Sequence, residues 1–555
     1  MNPWLPKFFE CLADYDKKKF IADLIAGVTV GLVALPLAMA FAISSGVPPQ
    51  AGIYCAVVTG FLISALGGSK MQIGGPTGAF VVVVAGIIAK YGIEGLFVCT
   101  LMAGIILIIL GITGMGTAVR FIPRPVVVGF TNGIAMLIAS TQIKDFFGLK
   151  MGAVPSEFLA RMEALAEAFH TISWEATALG ASSLALILLC TRYLKRVPGY
   201  IVALLLGTLV AAVFQLPVET IGSKFGGIPS GLPQFHVPRL RWDLILKLLS
   251  PALTVAMLGA IESLMSAVVS DRMSGDQHKP NVELIAQGIA NIVSPMFGGL
   301  PATGAIARTA TNIRAGAQSP VAGMIHALTL LAILVFAAPL AKFIPMAVLA
   351  GILFVVSWNM GEWKEIPQLL KLSKADIAVW FVTFLLTVIA DLTLAVEFGM
   401  ILAALMFIRK VAVTTTISQV THDYIAESRV HILQDKSIPD YLTIFRIHGP
   451  FLFGATEKMH EITNRIEELP ETVILRLRNM PALDATGLQA LEELASSLKK
   501  TGRNLVLCGA REQPLQLMKQ AQFEKVVGDE NLCESIASAL DRAGELHRAG
   551  ATSVR

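Results

Sequence analysis

Two six-residue stretches, Gly75-Pro76-Thr77-Gly78-Ala79-Phe80 and Pro301-Ala302-Thr303-Gly304-Ala305-Ile306, decide the fold of this 555-residue chain. Each interrupts apolar sequence with Pro and Gly, and each opens a short apolar segment, near 77–89 and 304–315. Thr77 and Thr303 are 226 residues apart, and upstream Val28-Thr29-Val30 and Leu253-Thr254-Val255 echo one another at an offset of 225. From Thr77 to Lys90 a helix rising about 1.5 Å per residue covers only about 20 Å. The hydrocarbon core of a bilayer is about 30 Å thick. Such a helix must begin inside the membrane, after extended backbone, which survives there only where protein or a water-filled cavity satisfies it. Each start offers free N–H groups and about half a positive charge. Two such starts facing one cavity make an anion site that needs no metal. Interrupted short segments at matching places in two halves point to the binding site of a transporter built from inverted repeats. The alternative, ordinary loops between full-length helices, leaves their equivalent positions unexplained.

The surrounding composition demands lipid. Apolar residues make up 54% of the chain and charged residues 15%, with a mean hydropathy of +0.67, well beyond a soluble average. About twelve apolar runs, the first at 24–44 and the last at 394–409, approach the ~20 residues of a membrane span. Adding the two short segments predicts fourteen crossings, seven per half, in opposite orientations. With a cytoplasmic N-terminus, Lys70, Arg124, Arg192, Arg272, Arg314, Lys364 and Arg409 fall in alternate loops, as the positive-inside rule requires. This places a multi-pass protein in the inner membrane with both termini in the cytoplasm. Asp391 and Glu397 then flank the last hairpin at the outer interface.

Several function classes drop out. A net charge of +4 argues against a nucleic-acid partner. The six cysteines show no CxxC or His/Cys spacing, so neither a disulfide scaffold nor a metal centre is expected. No Walker A loop and no Ser/His/Asp cluster stands out, which excludes an ATP-driven pump and an enzyme reading. No cofactor is expected.

After about residue 425 charges become frequent. β-like runs at Val430–Leu433, Leu442–Ile447, Thr472–Leu477 and Asn504–Cys508 alternate with amphipathic stretches at 456–468, 485–499, 513–520 and 531–543. The pattern predicts a small α/β domain. The expected divisions are a cytoplasmic segment 1–22, an all-α polytopic membrane domain 23–412, a linker 413–428, the α/β domain 429–545 and a loose tail 546–555.

Charged residues inside apolar runs mark function. Glu262 lies within Leu253–Val269, with Ser266 one turn on. Together with the backbone around Thr303–Ala305 they suit a coupling proton or Na+; the alternative is a structural carboxylate paired with Arg308. Arg308, one turn into the second short helix, adds a full positive charge to the anion site; its alternative is snorkelling to an interface. Phe41 is either a cavity wall or a core aromatic. His326 is either a proton shuttle or a packed core residue.

The runs Asp23–Pro36 (DLIAGVTVGLVALP), Gly74–Val81 (GGPTGAFV), Glu283–Ala315 (ELIAQGIANIVSPMFGGLPATGAIARTATNIRA) and Asp391–Gly399 (DLTLAVEFG) resemble the sulfate permease (SulP) family of anion transporters over nearly the whole chain. Asp484-Ala485-Thr486-Gly487 resembles the helix-opening loop of a STAS domain, where related proteins carry a phosphorylatable hydroxyl, here Thr486. The resemblance implies a seven-plus-seven inverted fold divided into core and gate bundles, elevator-like alternating access, and homodimers held partly by the STAS domains, which also offer a surface to a cytoplasmic partner. It implies substrate contacts at Phe41, Thr77, Gly78, Ala79, Phe80, Thr303, Gly304, Ala305 and Arg308. Glu262 and Ser266, with Thr303 beside them, match the coupling-ion residues. Two departures stand out: Leu37 follows Pro36 where many members have Gln, and Glu262 replaces the Asp of sodium-coupled bicarbonate members. The implied function is coupled transport of a small anion with H+ or Na+. Sulfate comes first, with C4-dicarboxylates and bicarbonate as alternatives; an anion channel and a membrane-tethered signalling scaffold are the alternative classes.

Overall fold

A computed structural model describes residues 4–116, 123–152, 154–155, 157–193, 198–229, 231–238, 242–390, 392–420 and 438–553. Asp391, the side chain of Glu397 and the run Val430–Leu433 lie outside the described residues. The chain forms two compact units, Met1–Ile401 and Leu402–Arg555.

The first unit is helical. In chain order its elements are α1 (Lys7–Leu12), α2 (Lys17–Ser44), α3 (Pro49–Leu66), β1 (Gly74–Gly75), α4 (Gly78–Ile112), α5 (Arg124–Phe147), α6 (Phe158–Ala168), α7 (Trp174–Tyr193), α8 (Gly199–Val213), α9 (Ile221–Phe225), α10 (Trp242–Ser274), α11 (Pro280–Val293), β2 (Thr303–Gly304), α12 (Ile306–Arg314), α13 (Val321–Ala337), α14 (Met346–Met360), α15 (Ile366–Leu369), α16 (Lys374–Ile389) and α17 (Leu392–Thr414), the last running into the second unit. Among the described residues, eight helices are long and apolar enough to cross a membrane. Gly92 interrupts α4 with φ 72° and ψ −179°, a conformation that a side chain disfavours. The piece before it is the short segment read from the sequence; the piece after it is the next apolar run.

Burial alone cannot drive these helices together, because lipid tails are as apolar as their side chains; close backbone approach through small residues can. Gly104 of α4 and Gly288 of α11 face one another so closely that an added Cβ on either would sit 2.7 or 2.6 Å from the other's carbonyl oxygen. Gly27 and Gly31 bring α2 onto α13, Gly52 brings α3 onto α2, and Gly129 and Gly133 bring α5 onto α16. Two bundles result. One holds α2, α3, α4, α10, α11, α12 and α13; the other is built on α5, α7, α8, α14 and α16.

A polar ladder ties the first bundle. Glu283, Gln287 and Asn291 recur every fourth residue, on one face of α11. Buried Glu283 accepts from Gly68 N (2.9 Å), Ser69 N (3.2 Å) and Gln287 Nε2 (2.9 Å). Asn291 donates to Ala302 O and accepts from Ala302 N, both at 2.8 Å. The ladder therefore fixes the extended backbone leading into both β1 and β2, where an unpaired amide would cost several kcal/mol in lipid.

The second unit carries a five-stranded sheet, β3 (Thr416–Gln419), β4 (Leu442–His448), β5 (Thr472–Asn479), β6 (Asn504–Cys508) and β7 (Leu532–Cys533), in that spatial order. β3 pairs antiparallel and the other pairs are parallel. Alternation divides the side chains between two cores. Phe445, Ile447, Val473, Leu475, Leu505 and Leu507 pack with the helices at 457–464, 485–500 and 512–520. Leu442, Ile444, Ile474 and Val506 pack with Ile536, Ala539 and Ala543 of the last helix. Two details differ from the sequence reading. The stretch expected as linker contains β3, whose four residues are too few to show a period. The expected loose tail is helical through Ser553. His547 holds this helix to the sheet by stacking on Tyr441 at 4.1 Å and meeting Glu471 at 2.7 Å.

Candidate functional site

β1 and β2 meet as an antiparallel pair, with Gly74 opposite Gly304 and Gly75 opposite Thr303. Ala305 N donates to Ile73 O at 2.8 Å. The helices α4 and α12 start directly beyond this pair. At two of its positions glycine leaves room for a neighbouring side chain. A Cβ on Gly304 would lie 1.7 Å from Gln72 Nε2, and one on Gly75 would lie 2.5 Å from Arg308 Nη1. Gly75 also has φ 152°.

A cavity of about 300 Å³ opens in front of the pair. Phe41 of α2, Thr77 and Gly78 at the start of α4, Glu262 of α10, and Gly304, Ala305 and Arg308 at the start of α12 line one side. Phe130 of α5, Tyr200 of α8, and Asn359 and Met360 of α14, with Glu362 just beyond, line the other. The cavity therefore lies between the two helical bundles.

Thr77 Oγ1 donates to Glu262 Oε2 at 2.7 Å. It does not cap its own helix, and α12 begins after Ala305, which has no side chain that could. Phe80 N reaches Thr77 O at 3.3 Å, but the N–H groups of Gly78, Ala79, Ile306, Ala307 and Arg308 have no acceptor among the described residues, and Gly78, Ile306, Ala307 and Arg308 line the cavity. Arg308 is 2% exposed, which rules out snorkelling. Its Nη2 donates to Pro76 O, while buried Nη1 has no hydrogen-bond partner among the described residues. A buried, half-satisfied guanidinium is costly unless a ligand completes it. No Glu262–Arg308 ion pair forms among the described contacts, since the Glu262 carboxylate is engaged by Thr77 instead.

The other site residues named from the sequence lie one layer back. Ala79 and Phe80 are buried away from the cavity, and Phe80 packs against Gly259. Thr303 Oγ1 donates to Gly259 O at 2.9 Å. Ser266 Oγ lies 3.0 Å from Thr309 Oγ1, which accepts from Ile73 N at 3.1 Å. His326 is buried against Gly60 and does not line the cavity. No group of three or more His, Cys, Asp or Glu side chains suits a metal among the described residues. The sequence reading did not name Gln72, whose Nε2 reaches Ser263 O at 3.2 Å, or Asn312, whose Nδ2 reaches Met71 O at 2.9 Å. Nor did it name Tyr200, Asn359 and Glu362. Their contribution comes from elements distant in sequence, and no local pattern marks them. In the second unit, Asp484 caps the helix at 485–500 through Gly487 N (2.8 Å) and also accepts from Phe453 N (3.0 Å), leaving Thr486 exposed.

A multi-pass helical unit whose two bundles enclose a cavity lined by two helix starts, Arg308 and two carboxylates fits an integral membrane transporter for an anion, and not an enzyme. Residues 20–383 match the sulfate permease family and residues 433–539 match the STAS domain; the chain belongs to the sulfate permease family. It is 42% identical over 516 residues to YvdB of Bacillus subtilis, a protein with a provisional sulfate-transporter name, covering 92% of this chain and 96% of that one. It is 30% identical over 536 residues to the bicarbonate transporter BicA of Synechocystis, covering 94% of each. The solved transmembrane domain of a cyanobacterial BicA matches 70% of this chain and 98% of its own, at 31% identity and a TM-score of 0.62. The murine solute carrier 26 member A9 anion transporter in its inward-facing state shares the fold, at a TM-score of 0.86 and 18% identity, over 98% of this chain and 94% of that one.

Proposed function

We propose that this protein is a secondary active transporter of a small oxyanion, with sulfate first, coupled to H+ or Na+. The observation that carries the reading is buried Arg308, whose Nη1 has no hydrogen-bond partner among the described residues and which lines one cavity with the uncapped starts of α4 and α12. An anion there completes a charge-assisted bond that the protein leaves unmade. Relatives named for sulfate and for bicarbonate support a small oxyanion; a C4-dicarboxylate is the further candidate. In this reading Phe41, Thr77, Gly78, Gly304, Ala305 and Arg308 meet the substrate, while Ala79, Phe80 and Thr303 support them from behind. Glu262 binds the coupling ion, and Ser266 positions β1 through Thr309.

The reading extends to architecture. Fourteen crossings form two inverted halves, and the bundle carrying β1 and β2 moves against the other as an elevator. The membrane domain spans 23–412, and the protein works as a homodimer in the inner membrane with both termini cytoplasmic. The STAS domain, near 429–545, regulates transport, and Thr486 is its candidate phosphorylation site.

Uptake of labelled sulfate, bicarbonate and succinate into proteoliposomes, each with an imposed proton or sodium gradient, tests this. The expected result is saturable accumulation of one anion that depends on one gradient. Linear, non-saturating flux would instead establish a channel.

A further inference from the structure

The cavity that holds Arg308 also holds two carboxylates, and the role proposed above uses only Glu262. The second, Glu362, stands on the opposite wall, just past the end of α14. Its backbone is in the left-handed region (φ 34°, ψ 35°), one of three non-glycine residues with positive φ among the described residues. That conformation is unfavourable for a residue with a Cβ and persists only where its surroundings impose it. Here they do. Buried Asn132 of α5 donates to Gly361 O and accepts from Trp380 Nε1 at 3.0 Å. Glu365 N donates to Glu362 O at 2.9 Å, and Arg124 is engaged with the Glu365 carboxylate. The local cation is therefore taken by Glu365. The Glu362 carboxyl has no hydrogen-bond or ion-pair partner among the described residues.

Across the cavity from Glu362 stand Glu262 on α10 and Arg308 on α12, and Tyr200 stands on α8; on its own side are Glu365 and, from α5, Arg124. α2 contributes only Val33, Leu37 and Phe41. With Glu262 and Glu362 both ionised, the cavity's charged side chains sum to one negative charge, which opposes entry of any anion. A proton on Glu362 removes that opposition. By linkage, a bound anion must then raise the proton affinity of Glu362 by the same factor that the proton raises anion affinity.

We propose that Glu362 is a proton-binding residue of the anion cavity, held inward by a strained turn, and that protonation of its carboxylate admits the anion. The inference rests on the anion-site reading of this cavity.

The test uses full-length protein in proteoliposomes and whichever of sulfate, bicarbonate and succinate the wild type carries fastest, with concentrations expressed as the free anion. In the wild type KM should rise at least about fivefold from about pH 6 to about pH 8. In Glu362→Gln, which imitates the protonated acid, KM should lie closer to its low-pH value at both, any remaining pH dependence being that of Glu262. Glu362→Asn should behave alike, because Asn tolerates the left-handed turn and separates loss of charge from loss of fold. Retention of the full wild-type pH profile by both folded variants would overturn the role of Glu362 alone. If the wild type carries none of the three anions, or Arg308→Ala carries them unchanged, the cavity reading falls, and this inference falls with it.

Discussion

Thr77 Oγ1 donates to Glu262 Oε2 at 2.7 Å, while Thr303, its counterpart in the other half, donates to Gly259 O at 2.9 Å, three residues earlier on the same helix. Two threonines that echo each other in sequence therefore both bond to α10, one to a side chain and one to backbone. α12 begins after Ala305, which cannot cap it, and the bond from Thr77 to Glu262 leaves the start of α4 uncapped, so the partial positive charge of both starts is available to an anion. That bond also joins the substrate wall to the one intramembrane carboxylate on that wall.

That junction predicts a coupling phenotype. Glu262→Gln should abolish gradient-driven accumulation while the protein keeps its folded yield and oligomeric size. Thr77→Val removes a bond to a charged group, worth about 1.5–3 kcal/mol, and should lower gradient-driven uptake by roughly tenfold or more. Unchanged pH and sodium dependence in Glu262→Gln would remove this residue from coupling.

Arg308 predicts an affinity phenotype. Truncation to Ala deletes the only cationic side chain lining the cavity among the described residues. Anion KM should rise by about tenfold or more, given the strength of charge-assisted bonds. Arg308→Lys should fall between, since an ammonium keeps the charge but cannot reach Pro76 O and an anion in the same forked geometry. Wild-type affinity in Arg308→Ala would move the residue out of the site.

Much of this is legible in the sequence. The two Gly/Pro interruptions gave the uncapped helix starts because membrane thickness leaves few other readings of such short segments. Short apolar runs between Leu442 and Cys508 gave three strands of the sheet, because strands packed on both faces read as nearly continuous apolar stretches. Neither Tyr200 nor Glu362 was legible, because the second wall of the cavity comes from a bundle with no repeat signature of its own. The spacing of Glu283, Gln287 and Asn291 was visible, yet its structural purpose emerges only when Gly68 and Ala302 are seen at its two ends.

The glycine contacts predict opposite outcomes for two similar substitutions in α4. Gly104→Ala would place a Cβ 2.7 Å from Gly288 O, so α4 and α11 must separate, at a cost of about 1–3 kcal/mol. A drop of several degrees in the detergent-solubilised melting midpoint should follow. Gly86→Ala meets nothing within 4 Å. It should leave the midpoint unchanged or raise it slightly, as Ala is the better helix former. Equal destabilisation by both would mean that α4 does not approach α11 as described.

Asp484 predicts the behaviour of the STAS loop. Its two oxygens hold Gly487 N and Phe453 N, so one side chain both caps the helix at 485–500 and ties it to the turn after β4. Asp484→Ala should cost about 1–2 kcal/mol, read in the full-length protein as faster amide exchange at 451–455 and 485–488. Exposed Thr486 lies within this first turn. A phosphoryl group there would add up to about two negative charges, favoured by the helix start but opposed by Asp484 two residues away. Phosphorylation should therefore loosen the same turn that Asp484→Ala loosens, with the same exchange pattern. A phosphopeptide covering Thr486 in protein purified from its native cells is the expected finding; only unmodified Thr486 across growth conditions would count against a phosphorylation switch and leave Asp484 as a purely structural cap.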